Sequence, residues 1–304
     1  MNVRPDPRLS GLMSQRRRLL NLAYRFLGSV TEAEDAVQET FARWYAMPAA
    51  QQDAVESLPA WLSTVISRVC LDQLGSARSQ REKYVGEWLP EPVPDPAEAA
   101  GGDPADRITL NESIDMAFLV ILESMSPAER VTFLLHDVFR YPFAEIAEIV
   151  GRTPAACRQL ASAGRRRLRT ERPAPTPVGR RTDVVRNFKE AWEAKDIGTL
   201  VGLLDPGAAV VADGGGLALA SLHPIEGGDE VARYLVGLAD LAGTLNLVER
   251  TVNGRPGLVA IDEGATAAVY AFEIAGDRIQ RIWVVRNPDK LHLWAGGARF
   301  ARAR

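Results

Sequence analysis

Seven arginines and one acidic residue lie between Arg152 and Arg172, which gives this stretch a net charge of +6. A short apolar stripe before it ends at Gly151, and Thr153 followed by Pro154 is typical of the start of a new helix. In that helix small apolar residues share one face and long polar residues share the other. This division predicts the recognition helix of a helix-turn-helix, which packs on its partner helix and places polar side chains in the DNA major groove.

The basic helix offers two kinds of contact to DNA. Arg158 and Gln159 lie near its start, where side chains reach base edges. The cluster from Arg165 to Arg169 suits phosphates, which position a protein without reading sequence. The full set of candidate DNA-contacting residues in this helix is Thr153, Arg158, Gln159, Ser162, Arg165, Arg166 and Arg169. The alternative interpretation is a solvated helical hairpin with a basic end.

A second candidate surface lies in the segment TEAEDAVQETFARWY, from Thr31 to Tyr45. Thr31 with Glu34 three residues later predicts a capping box at the start of a helix. Apolar residues then recur at helical spacing, so one face of this helix is buried. The opposite face is polar and mostly acidic, and it carries Asp35, Gln38, Glu39 and Arg43. Taken by itself, the segment is better interpreted as an ordinary amphipathic helix with a solvated outer face.

The side chains that could carry acid-base chemistry are scattered through the C-terminal part of the chain. They are Asp213, His223, Asp262 and His292. A general base must lie within hydrogen-bond reach of the proton that it removes, and these residues form no recognisable triad or metal-ligand spacing. We therefore predict that the protein is not an enzyme and that it requires no cofactor or metal.

The composition describes a soluble globular protein of two or three domains, with 304 residues, 46% hydrophobic and 25% charged. The sequence shows no apolar run long enough to cross a bilayer and no signal peptide, so no membrane partner is expected. Cys70 and Cys157 are far apart and match no metal-ligand spacing, which indicates a reduced cytoplasmic setting. Cys157, on the inward side of the basic helix, is predicted to be a core residue.

Three blocks and two joints are predicted along the chain. The first block is helical and includes a helix from about residue 59 to 74, followed by a basic loop. A linker rich in proline, alanine, glycine and acids separates it from the second block, where Ser126 and Glu129 form another capping box. The third block combines helices with strand-like runs joined by Asn253-Gly254 and two similar turns, which indicates an α+β domain with an antiparallel sheet. The boundaries are 1–88, 89–106 (linker), 107–172, 179–294 and 295–304 (basic tail).

The first two blocks together resemble RNA polymerase sigma factors of the extracytoplasmic-function group, in which only sigma regions 2 and 4 remain. The segment TEAEDAVQETFARWY looks like region 2.2, PAWLSTVISRVCLDQLGSARSQREKY is similar to regions 2.3 and 2.4, and SPAERVTFLLHDVFRYPFAEIAEIVGRTPAACRQLASAGRRRLR resembles region 4. The resemblance implies two all-α domains: a region 2 helical bundle and a region 4 helix-turn-helix. It also implies core RNA polymerase (clamp coiled coil and flap) and promoter DNA as partners.

Site residues follow from the resemblance, position by position. In region 2.2 the residues that match the polymerase-docking motif are Asp35, Gln38, Glu39, Phe41 and Trp44. Melted DNA is bound by cationic grooves with stacking surfaces, and the −10 candidates of that kind are Arg78, Arg81, Lys83 and Tyr84. The basic helix described above then reads the −35 element.

The third block resembles the SnoaL-like fold, a cone-shaped α+β barrel that one subfamily of these sigma factors carries at the C-terminus. The subfamily's linker motif WLPEP begins here at Trp88, its NPDKL motif begins at Asn287, and its DGGGR loop is DGGGL because Leu217 replaces the arginine. The resemblance implies control in cis, without a separate anti-sigma factor. We expect the loop and the NPDKL segment to contact the linker and to set the spacing of regions 2 and 4. The regulatory contact residues are Trp88, Pro90, Asp213, Gly214, Gly215, Gly216, Asn287, Pro288, Asp289, Lys290 and Leu291.

Two rival functions remain open at this stage. One is a stand-alone, ligand-sensing helix-turn-helix regulator, which leaves the acidic face of Asp35 to Glu39 without a role. The other is a SnoaL-like isomerase or hydrolase with a helical appendage, which requires Asp213 and Asp262 to support turnover. In either reading, or in a sigma factor, the pocket of the third block is a candidate site for a small-molecule ligand.

Overall fold

The computed structural model describes residues 7–81, 84–95, 114–171, 176–242 and 246–294, with only the backbone described at 7–10, 77–81, 171 and 242. The described residues form two compact units. The first contains 7–81 and 121–171, and the second contains 84–95, 114–120, 176–242 and 246–294. In the described part of the chain, no helix is long and apolar enough to cross a membrane.

Helices make up the first unit. They are α1 (Pro7–Leu27), α2 (Val30–Ala46), α3 (Ala49–Asp53), α4 (Leu58–Arg81), α5 (Met116–Glu123, whose first five residues belong to the second unit), α6 (Pro127–Phe133), α7 (Phe143–Val150) and α8 (Pro154–Glu171). A π-helical segment, Leu134–Val138, follows α6 directly. The core lies where α1, α2 and α4 pack together and where α6, α7 and α8 do the same.

Two predicted helix boundaries in the first block are wrong. Gly28 adopts a positive φ of 71° and ends α1, which leaves Ser29 extended at the N-cap of α2. The Ser29 hydroxyl accepts a hydrogen bond from the Glu32 amide at 3.3 Å, so the cap lies two residues before Thr31. Helix α4 continues to Arg81 instead of ending at Leu74, because one glycine costs only about 1 kcal/mol in a helix that is already anchored.

The predicted helix-turn-helix is confirmed. Gly151, with φ 66°, ends α7, and the Thr153 hydroxyl accepts a hydrogen bond from the Ala156 amide at 3.2 Å at the start of α8. The capping box of α6 is confirmed as well, since Ser126 and Glu129 each bond the other's backbone amide. The caps at Ser126 and Gly151 stabilise α6 and α7, which have too few residues to be stable by themselves.

The second unit is an α+β domain, as predicted. Its elements are α9 (Val178–Glu193), α10 (Ile197–Leu203), β1 (Leu204–Asp213), β2 (Ile225–Glu226), α11 (Gly228–Ala242), β3 (Asn246–Val252), β4 (Arg255–Asp262), β5 (Ala265–Ala275) and β6 (Arg278–Val285). The sheet has the order β2-β1-β6-β5-β4-β3. The prediction of an antiparallel sheet is wrong in one place: β1 and β6 pair in parallel, which is possible because α11 and four strands separate them in the chain.

Each face of this sheet has its own core. On the inner face, α9, α10 and α11 pack against alternate residues of β1, β4, β5 and β6, and four aromatic rings fill the centre: Phe188, Trp192, Tyr270 and Phe272. The Trp192 indole donates a hydrogen bond to the Leu235 carbonyl at 2.7 Å. On the outer face, Val259, Val269 and Trp283 pack with residues from the segment before the sheet, namely Leu89, Met116 and Ala117. The outer face therefore holds chain that precedes β1 by 87 to 115 residues, since Leu89, Met116 and Ala117 lie that far before Leu204.

Candidate nucleic-acid interface and linker contact

Helix α8 separates its apolar and polar residues as the sequence predicts. Cys157 and Ala161 are fully buried. Gly164 lies so close to Phe133 that a β-carbon there would be 3.0 Å from the Phe133 Cβ. The exposed side of the helix carries Arg158, Gln159, Ser162, Arg166 and Arg169, and Thr153 is exposed at its start. An exposed basic face of this kind is the electrostatic footprint of a nucleic-acid-binding helix.

Neighbouring residues hold two arginines of this face in place. The Arg165 Nη1 donates to both carboxylate oxygens of Asp137, at 2.9 and 3.0 Å, so Arg165 is only partly exposed. The Arg158 guanidinium lies over the Phe143 ring, 5.9 Å from its centroid. Phe143 in turn stacks on His136 with the ring centroids 3.9 Å apart.

The predicted polymerase-docking face of α2 is divided between surface and core. Asp35, Gln38 and Glu39 are exposed, and Glu39 pairs with Arg43 at 2.9 Å. Phe41 is partly buried. Trp44 is 6% exposed and packs edge-on against Trp61, with ring centroids 5.1 Å apart. Trp44 is therefore a core residue on the buried side of α2. The accessible face of the predicted docking set consists of its polar residues.

The predicted −10 residues lie at the end of α4 and just beyond it. The backbone of Arg78 and Arg81 belongs to α4, but their side chains lie outside the described residues, as does all of Lys83. Tyr84 is described and belongs to the second unit. Its hydroxyl donates to the Asp213 Oδ1 at 2.6 Å and accepts from the Asn287 Nδ2 at 2.7 Å.

Asp213, the last residue of β1, is the centre of a buried polar cluster. Its side chain has no solvent exposure, and besides Tyr84 it accepts from the Leu89 amide at 2.9 Å and from the Lys290 Nζ at 2.7 Å. Lys290 also donates to the Leu89 carbonyl at 2.6 Å, and its ammonium lies 4.0 Å from the centroid of the Trp88 ring. One ion pair therefore joins the end of β1, the NPDKL segment and the WLPEP segment.

Electrostatics at this cluster favour a neutral Tyr84. Burial, and then the hydrogen bond to the Asp213 carboxylate, raise the pKa of Tyr84 well above its ordinary value. The neutral phenol is the form that donates to Asp213, so the proton is retained where the contact needs it. Lys290 supplies the positive charge that compensates the buried carboxylate.

The glycines of the DGGG loop make room for this cluster. Gly215 has a φ of 61°, and a β-carbon there would lie 2.4 Å from the Asn287 Nδ2. Gly214 is as tightly enclosed, with its pseudo-β-carbon 2.3 Å from the Ala218 carbonyl oxygen, and Gly216 faces Val85. Leu217, which replaces the subfamily's arginine, is 55% exposed and contributes a backbone amide that bonds the Gly214 carbonyl.

The remaining NPDKL residues form a short 3-10 turn. Asn287 caps it by accepting from the Asp289 amide at 3.0 Å, while the Asn287 amide donates to the Asp213 carbonyl at 3.0 Å. Leu291 is buried in the outer core, Pro288 is partly exposed and Asp289 is exposed. The turn therefore positions Asn287 and Lys290 toward the linker.

Sequence reasoning missed several contacts of the linker. The hairpin residue Asn253 is fully buried, and its side-chain oxygen accepts from the Val93 amide at 3.1 Å while its own amide donates to the Val93 carbonyl at 2.9 Å. The Trp294 indole donates to the Pro92 carbonyl at 2.9 Å. Pro90 is buried, and Glu91 faces His292 at 3.3 Å. The Asn-Gly pair predicted a hairpin, but nothing in it indicated that the asparagine would also bind another segment.

The candidate acid-base residues are not assembled into a catalytic site. Asp213 is engaged in the linker contact, Asp262 and His223 are exposed, and His292 lies beside Glu91. Within the described ranges, no group of three or more His, Cys, Asp or Glu residues could hold a metal ion. The geometry therefore gives no support to the isomerase or hydrolase reading.

Within the first unit, arginines join the helices of the first block to those of the second. Arg130 on α6 is 3% exposed, and its Nη1 donates to the Phe26 carbonyl of α1 at 2.8 Å and to Glu123 at 2.6 Å. Burial lowers the pKa of Arg130 to about 9, which leaves it charged at neutral pH. The other contacts are Arg18 to the Tyr141 hydroxyl at 3.0 Å, Arg68 to the Glu148 carbonyl at 3.1 Å, and Arg25 over the Phe139 ring at 5.0 Å.

Comparison with known proteins agrees with this anatomy. Residues 12–80 match the family model for Sigma-70 region 2, and residues 115–168 match that for Sigma-70, region 4. The chain is 38% identical over 293 residues to the ECF RNA polymerase sigma factor SigJ of Mycobacterium tuberculosis, covering 90% of each chain, and 34% identical over 290 residues to a probable ECF sigma factor, SigI, of the same species, covering 94% and 95%. The crystal structure of SigJ matches with a TM-score of 0.72 at 33% identity, over 93% of this chain and 98% of that one. The chain therefore belongs to the extracytoplasmic-function (ECF) RNA polymerase sigma factors.

Proposed function

We propose that this sigma factor is controlled in cis by its C-terminal sheet domain, which holds the linker between regions 2 and 4. Sigma factors bind core RNA polymerase and promoter DNA and are not enzymes, and this chain carries both sigma regions. The observation that carries the proposal is the buried cluster at Asp213, where a carboxylate of the sheet domain binds the linker through Tyr84 and Leu89.

The contacts with polymerase and DNA are assigned to three helices. The exposed acidic residues of α2, Asp35 and Glu39, together with Gln38, would dock on the clamp coiled coil of the polymerase. The C-terminal end of α4 would meet the melted −10 element, and the exposed face of α8 would enter the major groove at the −35 element, with region 4 also meeting the flap. What supports these assignments is the exposure and charge of each surface.

The sheet domain binds described chain on both sides of residues 96–113, namely residues 84–95 before them and the start of region 4 after them. Residues 84–95 pack there through Asp213, Asn253 and Lys290. At the other end, Met116 and Ala117 join the outer core, and Asp115 pairs with Arg255 at 3.3 Å. A rigid sheet that holds both ends restrains how far the chain between the two sigma regions can extend.

A restraint of this kind matters because of the length of a promoter. The centres of the −10 and −35 elements are about 25 base pairs apart, which is roughly 85 Å along B-DNA. In the first unit, however, α4 packs directly against α6 and α7. The two DNA-reading regions must therefore separate before both elements can be bound. If released, residues 82–113 could span up to about 110 Å when fully extended.

The same contacts favour control by the linker itself over control by a bound small molecule. The inner face of the sheet, where a ligand pocket is expected, is filled by Phe188, Trp192, Tyr270 and Phe272. The outer face, by contrast, binds a segment of the same chain. A regulatory domain that is fused to its target can act without a partner protein. We therefore also propose that this sigma factor has no separate anti-sigma factor.

Run-off transcription with core polymerase tests the proposal, on a promoter selected from random sequence. The proteins are the intact chain, truncations after Arg172 and after Leu291, and the variant Asp213→Asn. The matched control is Asp262→Asn, which removes an exposed carboxylate of the same domain. We expect promoter-specific transcripts from the intact chain, more transcripts from Asp213→Asn, and no change in the control.

Two outcomes would count against the proposal in different ways. If Asp213→Asn formed the polymerase complex normally but gave fewer transcripts, the linker contact would be required for initiation and would not restrain it. If neither the intact chain nor a truncation bound core polymerase, while the intact chain bound duplex DNA tightly, the stand-alone regulator would replace the sigma factor.

A further inference from the structure

The segment between α6 and α7 departs from regular helix next to the recognition helix. Leu134–Val138 forms a π-helical turn, in which the Phe139 amide donates to the Leu134 carbonyl five residues earlier, at 3.0 Å. Such turns are rare, and they occur frequently at functional sites. This one carries His136 and Asp137, the two residues that approach arginines of α8 directly or through Phe143.

Asp137 holds the Arg165 guanidinium by one of its nitrogens. Both carboxylate oxygens accept from Nη1, and the side chains of Arg165 and Asp137 are 43% and 23% exposed. A guanidinium has five N–H donors, so this arrangement restrains the position of the group without using the donors of Nε and Nη2. Because a held side chain has fewer rotamers to lose when it binds, a phosphate contact made by Arg165 is then less costly in entropy.

A parallel arrangement supports Arg158, two helical turns earlier. Arg158 lies over Phe143, and Phe143 stacks on His136 of the same π-helical segment. Seven residues correspond to about 10.5 Å along an α-helix, so one segment supports the basic face of α8 at two points about 10.5 Å apart. Support at two points suggests that the segment prepares this face of α8 for binding.

We propose that Asp137 is a positioning residue for promoter binding, because it orients Arg165 toward a DNA phosphate. The proposal rests on the DNA-binding role of α8 proposed above. The proposal predicts that promoter affinity falls when Asp137 is removed. Charge repulsion by itself predicts the opposite, because a carboxylate near DNA weakens binding. Removal of a mere counter-charge strengthens binding, whereas removal of a positioning carboxylate weakens it.

The test measures promoter affinity of the full-length protein in complex with core polymerase, over a series of salt concentrations. The variants are Asp137→Ala, Asp137→Asn, Arg158→Ala, Arg165→Ala and the double variant Asp137→Ala/Arg165→Ala. The control is Glu145→Gln, which removes an exposed carboxylate from the neighbouring helix α7. Circular dichroism and the amount of polymerase complex establish that each variant is folded and assembled.

We expect Asp137→Ala to weaken promoter binding about fivefold, an effect within the usual range for coupled neighbours. The plot of log affinity against log salt should also become less steep by about one, because one phosphate contact is lost. Arg165→Ala should have the same effect on this slope. Asp137→Asn keeps a hydrogen-bond acceptor, so it should lose less promoter affinity than Asp137→Ala. In the Arg165→Ala background the Asp137 change should have no further effect, and Glu145→Gln should bind no more weakly than the parent.

Equal or tighter binding by Asp137→Ala would overturn the inference and make Asp137 a counter-charge. The role of α8 would survive that result if Arg165→Ala still weakened binding. Should Arg165→Ala and Arg158→Ala both leave promoter affinity and its salt dependence unchanged, the proposed DNA-binding face of α8 would fail, and the positioning role of Asp137 would fail with it.

Discussion

The protein contains two polar interfaces built in different ways. In the first unit, sigma regions 2 and 4 meet through arginines, of which Arg18 and Arg68 are exposed, while Arg25 and Arg130 are 7% and 3% exposed. In the second unit, the linker meets the sheet through Asp213 and Lys290, whose side chains are 0% and 10% exposed. Solvent screens the exposed arginine contacts, while the linker contact is largely shielded from solvent.

This difference indicates which interface should open first. An exposed arginine that bonds a carbonyl or hydroxyl exchanges readily with water, so the Arg18 and Arg68 contacts contribute little stability. When a buried carboxylate with three hydrogen-bond partners loses one of them, a buried polar group of the broken bond is left unsatisfied. We infer that the linker contact is the stronger restraint and that the contact between the sigma regions is weaker.

The largest expected effect comes from Asp213→Ala. This change leaves the Lys290 ammonium buried without its carboxylate, and removal of one partner of a buried pair typically costs about 3–5 kcal/mol. Hydrogen exchange followed by mass spectrometry should show faster exchange in peptides covering residues 84–95 and unchanged exchange in peptides from α1.

A double variant controls for the loss of charge compensation. In Asp213→Ala/Lys290→Met no unpaired charge remains, and replacement of a buried pair by apolar residues is often close to neutral. Protection of residues 84–95 should therefore recover in part. If the single and double variants exchanged equally fast, the ion pair would not be what stabilises the linker contact.

Arg130→Met is expected to have the next largest effect, confined to the first unit. The change removes charge-assisted hydrogen bonds to the Phe26 carbonyl and to Glu123, and we expect a loss of about 2–3 kcal/mol. The Glu123 side chain is 17% exposed and can gain some hydration, which keeps the loss below that of Asp213→Ala. Urea denaturation would measure the loss in the free energy of unfolding. Hydrogen exchange in peptides from α1 and α6 would show whether the loss is confined to the first unit.

The exposed arginines provide the contrast within this interface. Arg68→Met should cost less than about 1 kcal/mol, because the contact of Arg68 with the Glu148 carbonyl is open to solvent. An effect of Arg68→Met as large as that of Arg130→Met would contradict the view that burial, and not the number of arginines, determines the strength of this interface.

Tyr84→Phe should have the smallest effect, about 1 kcal/mol at neutral pH, from the loss of the hydroxyl's hydrogen bonds to Asp213 and Asn287. Its pH dependence has a definite sign. Because the pKa of Tyr84 is raised in the folded protein, the unfolded chain loses this proton first, near its ordinary pKa of about 10. The stability that Tyr84 contributes is therefore complete below about pH 10 and declines above it.

Urea denaturation at about pH 8 and about pH 10.5 separates this effect from other titrations. The parent should lose more stability between the two values than Tyr84→Phe, which has no phenolic proton to lose. Tyr234 and Tyr270 also have raised pKa values, but they are present in both proteins and cancel in the difference. An equal loss in the two proteins would show that Tyr84 is not bonded to Asp213 in solution.

Much of the local structure is predictable from the sequence because its determinants lie within a few residues of one another. Gly151, Thr153 and Pro154 define the turn of the helix-turn-helix, and each acts on its own backbone or within one helical turn. The same holds for the capping box of Ser126 and Glu129. Two helix boundaries were predicted wrongly for local reasons. Ser29 and Thr31 are both good N-cap residues two positions apart. Gly75 was interpreted as a helix end, but α4 continues through it to Arg81.

The candidate site was harder to predict because exposure is a tertiary property. Trp44 matches the polymerase-docking motif, but it lies on the buried side of α2, where it packs on Trp61 of α4. Tyr84, at the end of a basic segment, has the chemistry of a base-stacking residue. Its partner Asp213 lies 129 residues later in the chain, a distance at which local patterns carry no information.

The sequence by itself therefore determined the sigma regions, the helix-turn-helix and the α+β class of the C-terminal domain, since periodicity, caps and turns are local. Only the tertiary structure decided that β1 and β6 run in parallel, that Asp213, Lys290 and Tyr84 meet, and that Asp137 holds Arg165. The physical reason is that burial and ion pairing depend on which distant segments share a low-dielectric space, and that is known only when the chain has folded.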